Sequence, residues 1–133
     1  MSETMRAARI HGWGEAPVVE DVPVPVAGEG EALVRVEVAA VSHLDVTVAG
    51  GNFGIKPSLP YVGGVEGCGV VVTSDRFAPG TRVILRGGGI GLMRDGTWAE
   101  LVVTKDKTLT ELPDGLDPAV GATFFQPTTT AHT

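Results

Sequence analysis

Residues 32–41 read Ala32-Leu33-Val34-Arg35-Val36-Glu37-Val38-Ala39-Ala40-Val41. Val34, Val36 and Val38 alternate with Leu33, Arg35 and Glu37. A period of two puts three β-branched side chains on one face of an extended segment, which predicts a strand lying on a core. The pattern then changes. Ser42 is a good helix N-cap, and residues 44–48 suit one or two helical turns before Gly50-Gly51 ends them.

Toward the N-terminus, residues 5–11 form a short apolar strand closed by Gly12-Trp13-Gly14. Residues 18–22 form another, running into Pro23-Val24-Pro25. Proline cannot donate to a ladder, so this is an edge strand turning into extended coil. Glu29-Gly30-Glu31 is a turn. Toward the C-terminus, residues 50–64 are a loop rich in Gly and Pro. Residues 66–73 predict a buried strand in which Gly67 and Gly69 permit close backbone approach. Pro79-Gly80 is a turn, and residues 81–85 return as a strand. Residues 87–95 are a flexible excursion, Asp95-Gly96 a hairpin turn, and residues 97–103 the returning strand. Residues 107–112 are a last strand, closed by Pro113-Asp114-Gly115. Asp117 caps a helix with Pro118 at its first position, through residues 119–125, until Pro127 interrupts it. No segment repeats. Nineteen glycines in 133 residues, about twice average usage, punctuate these short stretches and predict an all-β barrel or sandwich.

The composition excludes several classes. Ten Lys+Arg against sixteen Asp+Glu give a formal charge of −6, which repels phosphate backbones and disfavours nucleic-acid binding. With 43% apolar and 20% charged residues, a folded domain is expected. No apolar run is long enough to span a membrane, and residues 1–8 lack a secretory core. The single cysteine, Cys68, forms no internal disulfide and builds no Cys-rich zinc cluster, consistent with a cytoplasmic setting. Cys68 lies in a valine-rich strand and reads as a small hydrophobe.

Gly87-Gly88-Gly89-Ile90-Gly91 lacks the Lys-Ser/Thr of a phosphate loop and the spacing of a dinucleotide fingerprint, so it reads as a β-loop. His11, His43, Cys68 and His132 show no paired metal-ligand spacing. Ser42-His43-Leu44-Asp45 concentrates polar groups where strand gives way to helix. Those groups can orient a ligand or simply cap the helix. Glu66, between glycines and an apolar strand, is a candidate buried carboxylate, either functional or hydrogen-bonded to backbone. Phe53, Tyr61 and Trp98 can wall a pocket or fill the core.

The ordered set of residues 5–11, 32–36, 41–45, 59–71, 79–83 and 96–100 resembles the N-terminal GroES-like domain of the medium-chain dehydrogenase/reductase superfamily, and most nearly its zinc-free quinone oxidoreductase branch. The resemblance implies a mainly β fold, a partly open β-barrel with short helices. It implies a barrel domain over residues 1–116 and, over 117–133, the start of a helical connection to a cofactor domain. Ser42 stands where zinc-dependent members carry Cys, and Val65 where they carry His, so no metal is expected. By position, Ser42 would line the substrate cleft and hydrogen-bond a carbonyl, with Asp45 in the same turn. Phe53 and Glu66 would border the substrate, while His43 and Thr130 would lie near the cofactor. The cofactor implied is NADPH, bound mainly by a dinucleotide domain that residues 1–133 do not contain. The chain is thus expected to be an inactive piece of a larger reductase of quinones or α,β-unsaturated carbonyls. Its partners would be such a small molecule and a second copy in a homodimer. A stand-alone binding module is the alternative, with Ile90, Leu92 and Met93 as a mobile apolar loop like that of a co-chaperonin.

Overall fold

A computed structural model describes residues 3–51, 54 and 57–112. The described residues form two antiparallel sheets that do not close on one another, as expected of a partly open barrel. The first sheet is built from β1 (Thr4–Ile10), β2 (Val18–Pro23) and β4 (Tyr61–Val62), in the order β2-β1-β4. The second holds β3 (Glu31–Ala39), β5 (Glu66–Thr73), β6 (Arg82–Arg86), β7 (Leu101–Lys105) and β8 (Thr110–Glu111), in the order β7-β3-β5-β6-β8. β2 is an edge strand, as its prolines require.

The valine-rich stretch is β3, which pairs with β5 on one side and β7 on the other. Val34 is fully buried while Arg35 beside it is exposed, the alternation that a period of two dictates. Ala32, Val34, Val71, Val83, Leu85, Ile90, Val102 and Leu109 form the main core. Burying each of the larger of these side chains contributes roughly 1.5–3 kcal/mol. Cys68 sits on the opposite face of β5 with Ile84 and Leu112, fully buried, and burial raises its thiol pKa. Gly69 pairs with Val36, and a side chain there would run into the carbonyl of Arg35, so the close approach read from the sequence is real.

Four stretches depart from expectation. Residues 97–103 are not one strand. Residues 98–100 lie along β1, where Ala8 N–H donates to Trp98 O at 2.7 Å and Glu100 N–H to Arg6 O at 3.1 Å. From Leu101 the chain runs in register with β3, and the Glu100 carbonyl just before it accepts from the Val36 N–H of β3 at 2.9 Å. One straight strand cannot serve two sheets, so it bends between them. Asp95-Gly96 is not a hairpin turn either. The Asp95 carboxylate and the Gly96 N–H both engage the backbone of Val62, which ties this segment to the first sheet. Residues 107–112 split into a 3-10 turn (Asp106–Thr108) and β8. Asp106 is buried there and accepts from the Ser74 hydroxyl at 2.5 Å. Within the loop at 50–64, Tyr61-Val62 forms β4 against the end of β1.

The excursion at 87–95 is anchored. Its Ile90 is in the core, and the Gly89 carbonyl accepts from Leu92, Met93 and Arg94. Gly87, Gly88, Gly89 and Gly91 all have φ between 68° and 82°, the left-handed region that only glycine enters cheaply. Of the apolar residues a co-chaperonin-like loop would display, only Met93 is exposed. The expected helix at 117–125 lies outside the described residues.

Candidate functional site

The strand-to-helix junction behaves as its residue types require. The helix α1 (His43–Ala49) starts at the N-cap Ser42 and ends at Gly50. Ser42 and Asp45 form a capping box. The Asp45 carboxylate accepts from the Ser42 backbone N–H at 2.8 Å and from the Ser42 hydroxyl at 3.1 Å. Its other oxygen accepts from the Val65 N–H at 2.9 Å, twenty residues on. Asp45 thereby pins α1 to the segment that leads into β5. It is 3% exposed, and that burial raises its pKa, partly offset by the donors from Ser42 and Val65.

Glu66 opens β5 and is fully buried. Its carbonyl accepts from Ala40 N–H and from the Thr97 hydroxyl, both at 3.0 Å. Its carboxylate lies 3.6 Å from Nε of Arg86, the last residue of β6 and its partner in the register. Arg86 is about half exposed. Ser42, Asp45 and Glu66 are thus brought to one place, where β3 ends, α1 begins and β5 starts. His43 is exposed on the first position of α1, and its carbonyl accepts from Thr47. Phe53 and Thr130 lie outside the described residues. Tyr61 packs in the core beside Trp13, and Trp98 donates its indole N–H to Ala40 O at 3.1 Å.

Beside this junction is a cleft of about 390 Å³. Leu44, Val65, Ile84, Ile90 and Leu92 give it apolar walls, Arg86 supplies its cation, and Thr108 and Thr110 complete the lining with Gly87 and Gly89. The sequence reading did not single out Arg86. A charged residue closing an apolar strand just before a glycine run was the available signal. Ser42, Asp45 and Glu66 are not among the residues that line this cleft, and a second cleft of about 400 Å³, lined by Met5, Val22, Val26 and Leu101, contains none of the predicted site residues either.

Zinc does not fit this junction. A catalytic zinc needs three protein ligands, and here a hydroxyl and an isopropyl group stand at 42 and 65. Among the described residues no cluster of three or more His, Cys, Asp or Glu is placed to hold a metal. The described residues also lack the features that cradle a dinucleotide pyrophosphate. They contain no G-x-G-x-x-G following a strand, and their only α-helix has seven residues.

Comparison with known proteins agrees with this architecture. Residues 28–114 match the family model for the alcohol dehydrogenase GroES-like domain. An alcohol dehydrogenase of Rhizobium meliloti is 40% identical over 68 residues, 51% of this chain and 20% of that protein. A quinone oxidoreductase of Lama guanicoe is 31% identical over 135 residues, 96% of this chain and 39% of that protein. The quinone oxidoreductase of Thermus thermophilus, whose complex with NADPH was also solved, superposes with a TM-score of 0.79 at 30% identity, covering 96% of this chain and 39% of its own. The chain therefore spans about a fifth to two fifths of these relatives. It belongs to the alcohol dehydrogenase GroES-like domain family of the medium-chain dehydrogenase/reductase superfamily.

Proposed function

We propose that this chain forms the substrate-side wall of a metal-independent, NADPH-dependent oxidoreductase that reduces quinones or α,β-unsaturated carbonyls. The observation that carries the reading is the cleft beside α1. It offers apolar side chains, two threonines and one cation, with Val65 in its lining where a zinc enzyme carries imidazole. Likeness to quinone oxidoreductases along almost the whole chain supports the substrate class. NADPH is proposed to be held mainly by a second domain, in keeping with the greater length of the relatives.

The work of these residues is binding and orientation. Leu44, Val65 and Ile84 shed water from an apolar substrate. Ser42 is the proposed donor to a substrate carbonyl oxygen. Its single O–H lies on Asp45 in the free chain, so it must turn to serve a substrate. Asp45 and Glu66 hold this wall in place.

The test is turnover of NADPH with quinones and enones by the native protein purified from its source, with and without a strong chelator. Quinone-dependent oxidation that the chelator leaves unchanged is the expected result. Oxidation abolished by the chelator and restored by zinc would overturn metal independence. No quinone- or enone-dependent oxidation would overturn the activity.

A further inference from the structure

Building on the reading of Ser42 as donor to a substrate carbonyl, we propose that Thr97 is a positioning residue whose buried hydroxyl fixes where Ser42 stands. Thr97 precedes the residues that run along β1 and is 1% exposed. It grips the chain on both sides of Val65. Its N–H donates to the Gly64 carbonyl and its hydroxyl to the Glu66 carbonyl, each at 3.0 Å. From there two routes lead to Ser42. The Val65 N–H donates to one oxygen of Asp45, whose other oxygen accepts from the Ser42 N–H and hydroxyl. The Glu66 carbonyl also accepts from the N–H of Ala40, just upstream of Ser42. Thr97 therefore sets both the carboxylate on which the Ser42 hydroxyl rests and the backbone that carries it. Trp98 tightens the second route, because its indole N–H donates to the Ala40 carbonyl at 3.1 Å.

The surroundings are shaped for a threonine. A side chain at Gly64 would collide with the Thr97 hydroxyl, and one at Gly67 would lie 3.1 Å from its methyl. Folding alone does not ask for the hydroxyl. The Glu66 carbonyl already has a partner in Ala40, and burying a hydroxyl carries a desolvation cost that a methyl does not. What the hydroxyl adds is a second, directional bond that holds this carbonyl in one orientation. A group that donates to a reacting carbonyl must be held to within about 0.5 Å of its working position, so that rigidity serves the chemistry.

The experiment is a double-mutant cycle in the native protein, read as quinone-dependent NADPH oxidation. Thr97→Val should lower kcat on the order of tenfold, within the hundredfold or so that an ångström of misplacement can cost, with KM little changed. Thr97→Ser keeps the hydroxyl and should restore most of the rate. In a Ser42→Ala background, Thr97→Val should slow turnover no further, because the group it positions is gone. A valine methyl would press on the Glu66 carbonyl, so Thr97→Ala repeats each arm without crowding. Undiminished kcat in both variants, a loss that Thr97→Ser does not rescue, or losses that multiply with that of Ser42→Ala overturn the positioning role and leave Ser42 as the donor. Failure of both variants to fold makes the hydroxyl structural and overturns the role too. A native rate in Ser42→Ala alone overturns the donor reading and this inference together. Absence of quinone-dependent oxidation in the native protein overturns the activity, and this inference with it.

Discussion

Replacing Ser42 with alanine removes both halves of one hydroxyl's work: the cap on the Asp45 N–H and the donor to the Asp45 carboxylate. Loss of the cap should cost about 1 kcal/mol, read as a lower denaturant midpoint with unchanged slope. In the native enzyme the same variant should also slow carbonyl turnover, and undiminished turnover would strike Ser42 from the chemistry. Asp45 responds to pH in a defined sense. Burial raises its folded-state pKa above the ordinary aspartate value. The stability it contributes is therefore fully present below the unfolded pKa and is lost as pH rises through the raised folded value. Asp45→Asn should remove that dependence. Melting the native chain and the variant from acid to neutral pH should show the native curve falling relative to the variant's. Parallel curves would mean that Asp45 does not titrate between the two states. Glu66→Gln replaces a completely buried carboxylate that lies beside Arg86. It weakens the anchor of Arg86 while keeping the packing, and should raise KM for quinones more than it lowers kcat.

At the scale of elements, close packing of β5 on β3 depends on absent side chains. A Cβ at 69 would collide with the Arg35 carbonyl and lie 2.9 Å from a methyl of Val34. Backbone cannot move as a flexible side chain can, so Gly69→Ala should destabilise the chain by about 1–3 kcal/mol or more, measurable by urea unfolding. β5 and α1 were legible because their signals are local. A run of small and β-branched residues gave 66–73, and Ser42, Asp45 and Gly50 bracketed the helix. The junction of Ser42, Asp45 and Glu66 was legible as three residues but not as one place, because Asp45 meets Val65 across twenty positions of chain. Arg86 went unseen for a similar reason: its meaning comes from the residue opposite it on the next strand. The strand expected at 97–103 misled because alternation shows that residues are extended and says nothing about which sheet they join.

Across the whole molecule, the two sheets share a seam at Trp98. Its carbonyl accepts from β1, its indole donates to Ala40 just past the end of β3, and its ring packs against both the Met5–Ala7–Val22–Val62 and the Ile10–Val48–Tyr61 clusters. Trp98→Phe keeps most of the packing and deletes the donor, leaving Ala40 O without that bond. A loss of about 0.5–1.5 kcal/mol is expected. Hydrogen exchange should quicken at Ala8 and Glu100, along the seam, before it quickens in the β3–β5 ladder. Uniform quickening in both places would show that the sheets open as a single unit.

The same seam sets an order of events during synthesis. β1 leaves the ribosome before the segments that pair with it, and β2 covers one of its edges soon after. Its other edge is completed by Tyr61-Val62 and, last, by residues 98–100, more than ninety positions downstream of Arg6. At roughly 5–20 residues per second, that edge waits several seconds or longer for its partner. Nascent chains arrested before residue 98 therefore carry a strand edge open to pairing with a neighbouring polypeptide. The ribosome, more than the finished fold, is where this domain is most exposed to aggregation.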